Sequence, residues 1–499
     1  MAEMTWSPSR RELDEVYTSG LADVSTLLEY ADAALRQRDQ ESGDTQRGLL
    51  SHQVNQAVKQ LRPVSGSLGL VATADPYKVR SWSIAVLQSG ASAVLVDPKT
   101  PTSELQRLAR RFAVRWIATS EPTITRCEPT GRAALPDSLG SGLVFLTSGS
   151  MGTPKAVFHP RKHLWREAAL VAERLGYRAE GALLCTVPPT HLFGFTLSVL
   201  APLLASAPVV AASPLTVAGF ASLIESVDPS WIAAVPQQYR LWSSRRPDVA
   251  TLSGVVCVSS GAPLPDATRE SFRNVWACEL AEQYGSSECG VISIGYQEGV
   301  GATPFLPGVG RPYRGVELMA GVRGDASSVL VRSGHGATAV LTAESGSWCI
   351  LDRSKPSETG DHGWIDDEGV LHLSGRWRGF INVHGKKVSI VEVQDILRQL
   401  PQVADAYVVP GVNDDGDGIV LAVVEPETAD ATSEQELRAA CGNDLSAWKV
   451  PRRILVVPRL ERTSAGKVSH ATLTALLTGA GCRVAPNPTK YELRGLNAG

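Results

Sequence analysis

Residues 143–160 read LVFLTSGSMGTPKAVFHP. An apolar run, Leu143 to Leu146, leads into a turn of Thr147, Ser148, Gly149, Ser150, Met151, Gly152, Thr153 and Pro154, and Lys155 closes it before a second apolar run. Glycines let main-chain N–H groups come close to phosphate oxygens, hydroxyls add donors, and a lysine supplies a point charge. The segment is not a Walker loop, which needs Gly-Lys-Ser/Thr in direct succession after its four-residue spacer. By composition alone the same stretch also suits a flexible Ser/Gly turn. The flanking sequence has to decide between the two.

Upstream, from residue 68, the short apolar runs LGLVATA, SIAVLQSG, SAVLVD and VRWIATS alternate with helical stretches such as SELQRLARRFA. Downstream the rhythm continues through SWIAAVP, GVVCVSS and WACELAEQYG. Strands separated by helices predict an α/β fold with mostly parallel sheets covered by helices. After about residue 310, runs such as SSVLVRS, AVLTA and SWCILD, broken by Gly and Ser, predict a small antiparallel region. Before the sheet, Leu27, Leu28, Tyr30, Ala31 and Leu35, then Val54, Val58 and Leu61, are spaced as on helices.

Near Gly375 to Gly379 a fresh strand, strand, helix pattern begins in LHLSGRWRGFINVHGKKVSIVEVQDILRQL. It is followed by AYVVPG and GIVLAVVEP around the turn NDDGDG, a helix in SEQELRAACGNDL, the strand RILVVP and a final helix after Lys467. The chain therefore divides into a large domain over 1–377 and a small α+β domain over 378–499. Two domains also suit 499 residues, since a single core stops growing at roughly 250–300.

Composition narrows the partners. Basic and acidic residues number 48 and 51, a formal charge of -3, which argues against nucleic acid or an anionic membrane as a partner. The eight cysteines are scattered, with no C-x-x-C pair and no clustering with histidines, as expected of reduced thiols in the cytoplasm. The N-terminal MAEMTWSPSRRELDEVY lacks the apolar stretch of roughly 7–15 residues found in a signal peptide. No Asp, Glu, Lys or Arg occurs between Glu180 and Glu225, yet Pro188, Pro189, Pro202, Pro208 and Pro214 interrupt this stretch. It is read as buried core, with a helix near 195–205 and a strand near 208–212, and not as a membrane span.

The order T-S-G-S-x-G-x-P-K resembles the phosphate loop of the adenylate-forming superfamily, which comprises acyl-CoA synthetases, adenylation domains and luciferases. The motif style is closest to acyl-CoA synthetases, and the other family signatures follow in order from about Gly69 to Leu477. In VPPTHLFGF, the resemblance puts His191 where a gate stands over the acyl pocket, with Phe193 and Gly194 beside it. VSSGAPLP, with Ser260, Gly261, Ala262 and Pro263, resembles the loop along the adenine. EQYGSSE resembles Y-G-x-T-E, with Ser287 for Thr: Tyr284 would pack on the adenine beside Gly285 and Ser286. Glu288, with Thr147, would hold Mg²⁺, a cation that prefers oxygen ligands. VPQQYRLW places Tyr239, and PGVGRPY places Gly308 and Gly310, at the acyl pocket. SETGDHG and SGRWRG resemble T-G-D and G-R, so that Asp361 and Arg376 would bind the ribose. ERTSAGKVSH resembles P-R-T-x-x-G-K-V and makes Lys467 the catalytic lysine.

The resemblance implies a reaction in which the carboxylate of an acid attacks the α-phosphorus of ATP without needing a general base. The first product is an acyl adenylate. The small domain would then turn about a hinge at Arg378 and present a face near Gly385 to the thiol of CoA or of a phosphopantetheine carrier protein. Met151 and Ala156 depart from the usual Thr and Gly, and Arg378 and Asn382 depart from the usual hinge Asp or Lys and the following Lys. The thioester step is thereby less well marked than the first, and transfer of the adenylate to a partner enzyme is the alternative. LFGFTLS lacks the Asp with which amino-acid-activating members bind an ammonium, so an apolar acyl or aryl acid is expected. A non-catalytic nucleotide-binding relative would not need the mobile lysine, and a luciferase-like oxygenase would share the same adenylate.

Overall fold

The computed structural model describes residues 50–485, apart from 98–99, 122, 130–133, 148–154, 246–251, 298–303, 324, 342–345, 377–379, 384–385, 414–417, 429–431, 446 and 463–467. It divides into a first compact unit reaching Leu373 and a second beginning at Ser374.

The first unit contains two large sheets built to one scheme. In the eight-stranded sheet, Leu68–Val71 lies between the parallel strands Ser92–Leu95 and Trp116–Ala118, and Ser92–Leu95 pairs in parallel with Gly142–Thr147. Leu68–Val71 and Ser92–Leu95 are buried at every position, as strands covered on both faces must be. The helix Pro76–Ser89 connects them. Asp75 caps its start by accepting the amides of Tyr77 and Lys78, Pro76 occupies the first turn, and Gly90 takes the left-handed conformation at its end. After Thr147 the direction changes, because Lys155–Pro160 returns antiparallel with Lys155 opposite Thr147.

The seven-stranded sheet repeats the change. Leu183–Cys185, Trp231–Ala234, Val256–Ser259 and Leu280–Ser286 pair in parallel, and Gly290–Ile294 then folds back against Leu280–Ser286. The strand Val209–Ala211 flanks this sheet, at the place expected for 208–212. Four strands, Val316–Met319, Ser327–Ser333, Ser357–Ile365 and Leu371–Arg376, make the antiparallel region expected after residue 310.

Most of the uncharged stretch is core, although Ser213, Leu215 and Thr216 are exposed. Leu192–Phe195 and Ala201–Leu204 are α-helical, and between them Thr196–Leu200 forms a π turn buried at all five positions. Among the described residues no helix is long and apolar enough to cross a membrane. Of the N-terminal helical expectation, Leu50–Leu61 is observed and buries Val54, Val58 and Leu61. The part around Leu27 to Leu35 lies outside the described residues.

The second unit opens with the hairpin Phe380–Val383 and Lys386–Ser389 and the helix Ile390–Gln399. Its three-stranded sheet joins Val403–Val412, Gly418–Pro426 and Arg453–Val456. Ser433 and Glu436 form a capping box on the helix Glu434–Asp444, and Ser469 caps His470–Gly479.

Candidate active site

Each large sheet of the first unit ends its parallel body in a hairpin, and the C-terminal ends of parallel strands are where open α/β sheets present ligand sites. Lys155 stands at one hairpin and Glu288 in the turn of the other. The two side chains meet, with Lys155 Nζ 2.5 Å from Glu288 Oε1, although 133 residues separate them in sequence. Burial works against the Glu288 carboxylate, but the Lys155 ammonium overcomes it and holds the carboxyl below its usual range. Thr147, opposite Lys155 in the ladder, directs its hydroxyl to the Lys155 carbonyl at 3.5 Å.

The Glu288 hairpin also carries the aromatic motif residue. Tyr284 is buried, and its hydroxyl donates to Asp361 Oδ2 at 2.7 Å. Burial, and then the Asp361 carboxylate, raise the Tyr284 hydroxyl well above its ordinary range, so it stays a donor. The strand register shifts between Tyr284 and Gly285, and this bulge re-aims the end of the strand. In the turn that follows, the Cys289 amide donates to Ser286 Oγ at 3.0 Å. The loop after Val256–Ser259 buries Ser260 but exposes Gly261, Ala262 and Pro263, with Gly261 at φ +90. Three of the expected segments thus lie at C-terminal strand ends of two sheets, and one hairpin links Lys155 to Asp361.

Side chains missed by the sequence reading lock that hairpin from behind. His159 Nε2 donates to Ser287 O at 2.6 Å, and His335 Nε2 donates to Val291 O at 2.9 Å. Burial pushes His159 down to about 4 and His335 down to about 3, so both are neutral donors at neutral pH. The Ala337 amide donates to Glu288 O at 2.8 Å. A third buried group, Glu167, lies on the apolar stripe Leu164, Ala168, Val171, Leu175 of the helix Arg161–Leu175. An acid at that spacing was the readable signal.

The residues expected at the acyl pocket divide. His191 is the N-cap of Leu192–Phe195; Phe193 is half-buried against the main core, and a Cβ on Gly194 would collide with Pro188 O, so that turn requires glycine. Tyr239 does not line a pocket: it is fully buried, and its hydroxyl donates to Ile232 O at 3.1 Å and Val258 O at 3.0 Å. With its ring against Trp242 and Phe272, it has no surface left for a substrate. Gly308 and Gly310 have positive φ, and a Cβ on Gly310 would overlap Ile294 O, so their need for glycine is steric. Ser148, Gly149, Ser150, Gly152, Arg378, Gly385 and Lys467 lie outside the described residues. Arg376 ends its strand, and its side chain and that of Asn382 also lie outside them.

The donors fit Mg²⁺. Glu288 and Thr147 offer only oxygen donors. A cation that prefers oxygen and keeps water and phosphate oxygens in its shell suits that set.

The family model of the AMP-binding enzymes matches residues 142–320, and that of the AMP-binding enzyme C-terminal domain matches residues 392–467. The chain belongs to the AMP-binding enzymes. This AMP-binding enzyme is 26% identical over 457 residues to a 4-chlorobenzoate–CoA ligase of an Arthrobacter species, across 81% of this chain and 84% of that protein. A stretch of 168 residues is 41% identical to a 4-coumarate–CoA ligase of Rhodobacter capsulatus, across 33% of this chain and 42% of the relative. Among solved structures, ATP-bound MatB from Rhodopseudomonas palustris aligns with a TM-score of 0.73 at 16% identity, covering 87% of this chain and 93% of that one. That likeness shows the shared fold.

Proposed function

We propose that this AMP-binding enzyme is an AMP-forming acid–CoA ligase acting on an apolar aryl or acyl acid that lacks an α-amino group. One observation carries the reading: a single hairpin ties Glu288 to Lys155 and Tyr284 to Asp361, so residues expected for phosphate, metal, adenine and ribose converge. CoA-ligase relatives across most of the chain support the reaction class.

The acid's carboxylate oxygen forms a bond to the α-phosphorus of ATP, and the bond to pyrophosphate breaks. CoA sulfur then bonds to the acyl carbon, and AMP leaves. Because the nucleophile is already charged, the protein's work is positioning and charge neutralisation. In the free enzyme Lys155 and Glu288 neutralise each other. When ATP arrives, Lys155 turns to the β and γ phosphates, and Glu288 with Thr147 would hold Mg²⁺, which neutralises phosphate charge. Asp361, oriented by Tyr284, takes the ribose hydroxyls with Arg376, and Ser260 to Pro263 lie along the adenine. Lys467 bridges the carboxylate and the α-phosphate. The large domain, 1–377, supplies these sites except Lys467, and the small domain, 378–499, brings that lysine and then the Gly385 face by turning at Arg378. His191, Phe193 and Gly194 border the acyl group. The enzyme works in the cytoplasm, where its eight free cysteines stay reduced.

The test is pyrophosphate release by purified enzyme over a panel of fatty, aryl and polycyclic acids, with CoA conversion followed in parallel. Acid-dependent release abolished by Lys467→Ala supports the reading. No release with any acid would favour a non-catalytic nucleotide-binding role. Release without acyl-CoA would assign the adenylate to a carrier thiol or a partner enzyme, as the departures at Arg378 and Asn382 suggest.

A further inference from the structure

Glu167 is 1% exposed and faces two parts of the site at once. On one side its Oε1 accepts the Thr196 hydroxyl at 3.1 Å. Thr196 opens the π turn Thr196–Leu200, directly after the Leu192–Phe195 turn that His191 caps. Such π turns cost regular hydrogen bonding and recur near functional sites. On the other side Glu167 Oε2 packs on Gly290, where a Cβ would come within 2.8 Å of it and 2.9 Å of His335 Cδ2. Gly290 has φ +74 and lies two residues beyond Glu288. Any side chain there would push the turn away from Glu167.

A buried carboxyl without a cationic partner is stable only when neutral. Burial pushes Glu167 up to about 8, against the Thr196 hydroxyl and the Val291 amide, which favour the charged form. Oε2 itself is buried and has no partner in hydrogen-bond geometry among the described residues. Around it, His335 is depressed by burial to about 3, Tyr313 is raised by burial, and Arg174, lowered by burial, is stacked over the Tyr313 ring. Arg166 lies on the same helix.

We propose that Glu167 is a positioning residue that acts as an uncharged acid, wedged between the π turn behind the His191 gate and the Ser287–Gly290 turn, and so sets where Glu288 stands when ATP binds. The inference rests on the role given to Glu288 in the adenylation step. Ionisation would drive the carboxylate to seek water, and the Gly290 contact would be lost first. The raised pKa sets the sign: Glu167 contributes stability that is complete below 4.5 and is lost as pH rises through about 8.

Two measurements test it. The thermal midpoint of the ligand-free enzyme is followed from pH 6 to 10, and kcat and KM for acid-dependent pyrophosphate release are followed over the same range. Glu167→Gln should keep kcat within about twofold at pH 7 and lose the alkaline fall in both readouts, because an amide mimics the neutral acid. Glu167→Leu should lower kcat about tenfold or more at every pH with little change in KM for the acid. Thr196→Val, which removes a donor favouring the charged form, should move the alkaline fall to higher pH. An unchanged alkaline fall in Glu167→Gln, or wild-type kcat in Glu167→Leu, overturns the proposal. If wild type releases no pyrophosphate with any acid, the ligase reading fails instead. The ligand-free thermal curves of wild type, Glu167→Gln and Thr196→Val still decide the wedge.

Discussion

The first and second units each place an acid against a base near a motif segment, but they build the contact differently. Among the described residues Lys155 and Glu288 make a single ion pair, with side chains 29% and 35% exposed. In the second unit Arg462 meets Asp405 at 3.0 Å and Glu425 at 2.8 Å, Arg398 meets the other Asp405 oxygen at 3.0 Å, and the Tyr407 hydroxyl donates to Asp405 Oδ2 at 3.0 Å. Arg462 and Asp405 are 17% exposed and Glu425 is 15% exposed. A single pair that water still reaches is worth about 0–1 kcal/mol, so under the proposed function an arriving phosphate would part it. A largely buried network with shared partners resists opening, because each charge removed strands another. Arg462 is the last described residue before 463–467, the segment that carries Lys467. Under the proposed function the first pair opens when ATP binds, whereas the second holds.

Four substitutions bear on that contrast. Lys467→Ala should give the largest effect: kcat for acid-dependent pyrophosphate release falls about 10²–10³-fold, with an unchanged unfolding midpoint. A comparable activity in the variant would remove this lysine from the chemistry. Next, Arg462→Met should destabilise the second unit by about 3 kcal/mol, since Asp405 and Glu425 lose their shared partner. Urea unfolding followed at Trp448 would read it, and a midpoint equal to wild type would mean that the network does not hold. Glu288→Gln should weaken the Mg²⁺ dependence of ATP binding about 10- to 100-fold, measured by titration calorimetry, while the fold persists.

The smallest effect should come from a double-mutant cycle of Lys155→Ala and Glu288→Gln in the ligand-free enzyme, with a coupling of about 0–1 kcal/mol. Because the Glu288 carboxyl sits below its usual range, that coupling should be present above pH 4.5 and vanish as pH falls further. A coupling several times larger would make the pair structural and erase the contrast with Arg462.

Much of the architecture could be read along the chain. Apolar runs alternating with helical spacing marked both parallel sheets, the change of texture after 310 marked the antiparallel region, and prolines argued against a membrane span in the uncharged stretch, most of which is core. Tyr239 was misread because V-P-x-x-Y describes a helix start, whereas the packing of that helix on Ile232 and Val258 decides which way the ring faces. Gly308 and Gly310 are needed for steric reasons that only the neighbouring Ile294 and Leu371 carbonyls reveal. His159 and His335 gave no signal, since a histidine inside a strand or a Gly-rich turn looks the same whether it is a neutral clamp or a solvated surface residue.

The sequence by itself determined the chemistry on offer: a hydroxyl-rich glycine turn with Lys155, a Y-G-S-S-E hairpin, a T-G-D strand and a lysine at 467, in an order that periodic strands and helices could present. Those are local properties, set by side-chain type and by the spacing of apolar residues. Tertiary structure alone decided that Lys155 neutralises Glu288 across 133 residues, that Tyr284 orients Asp361, and that a buried Glu167 stands between the π turn at Thr196 and the turn at Gly290. Distances and burial between distant segments depend on how two sheets pack, and burial is what turns an ordinary glutamate into an acid that keeps its proton at neutral pH.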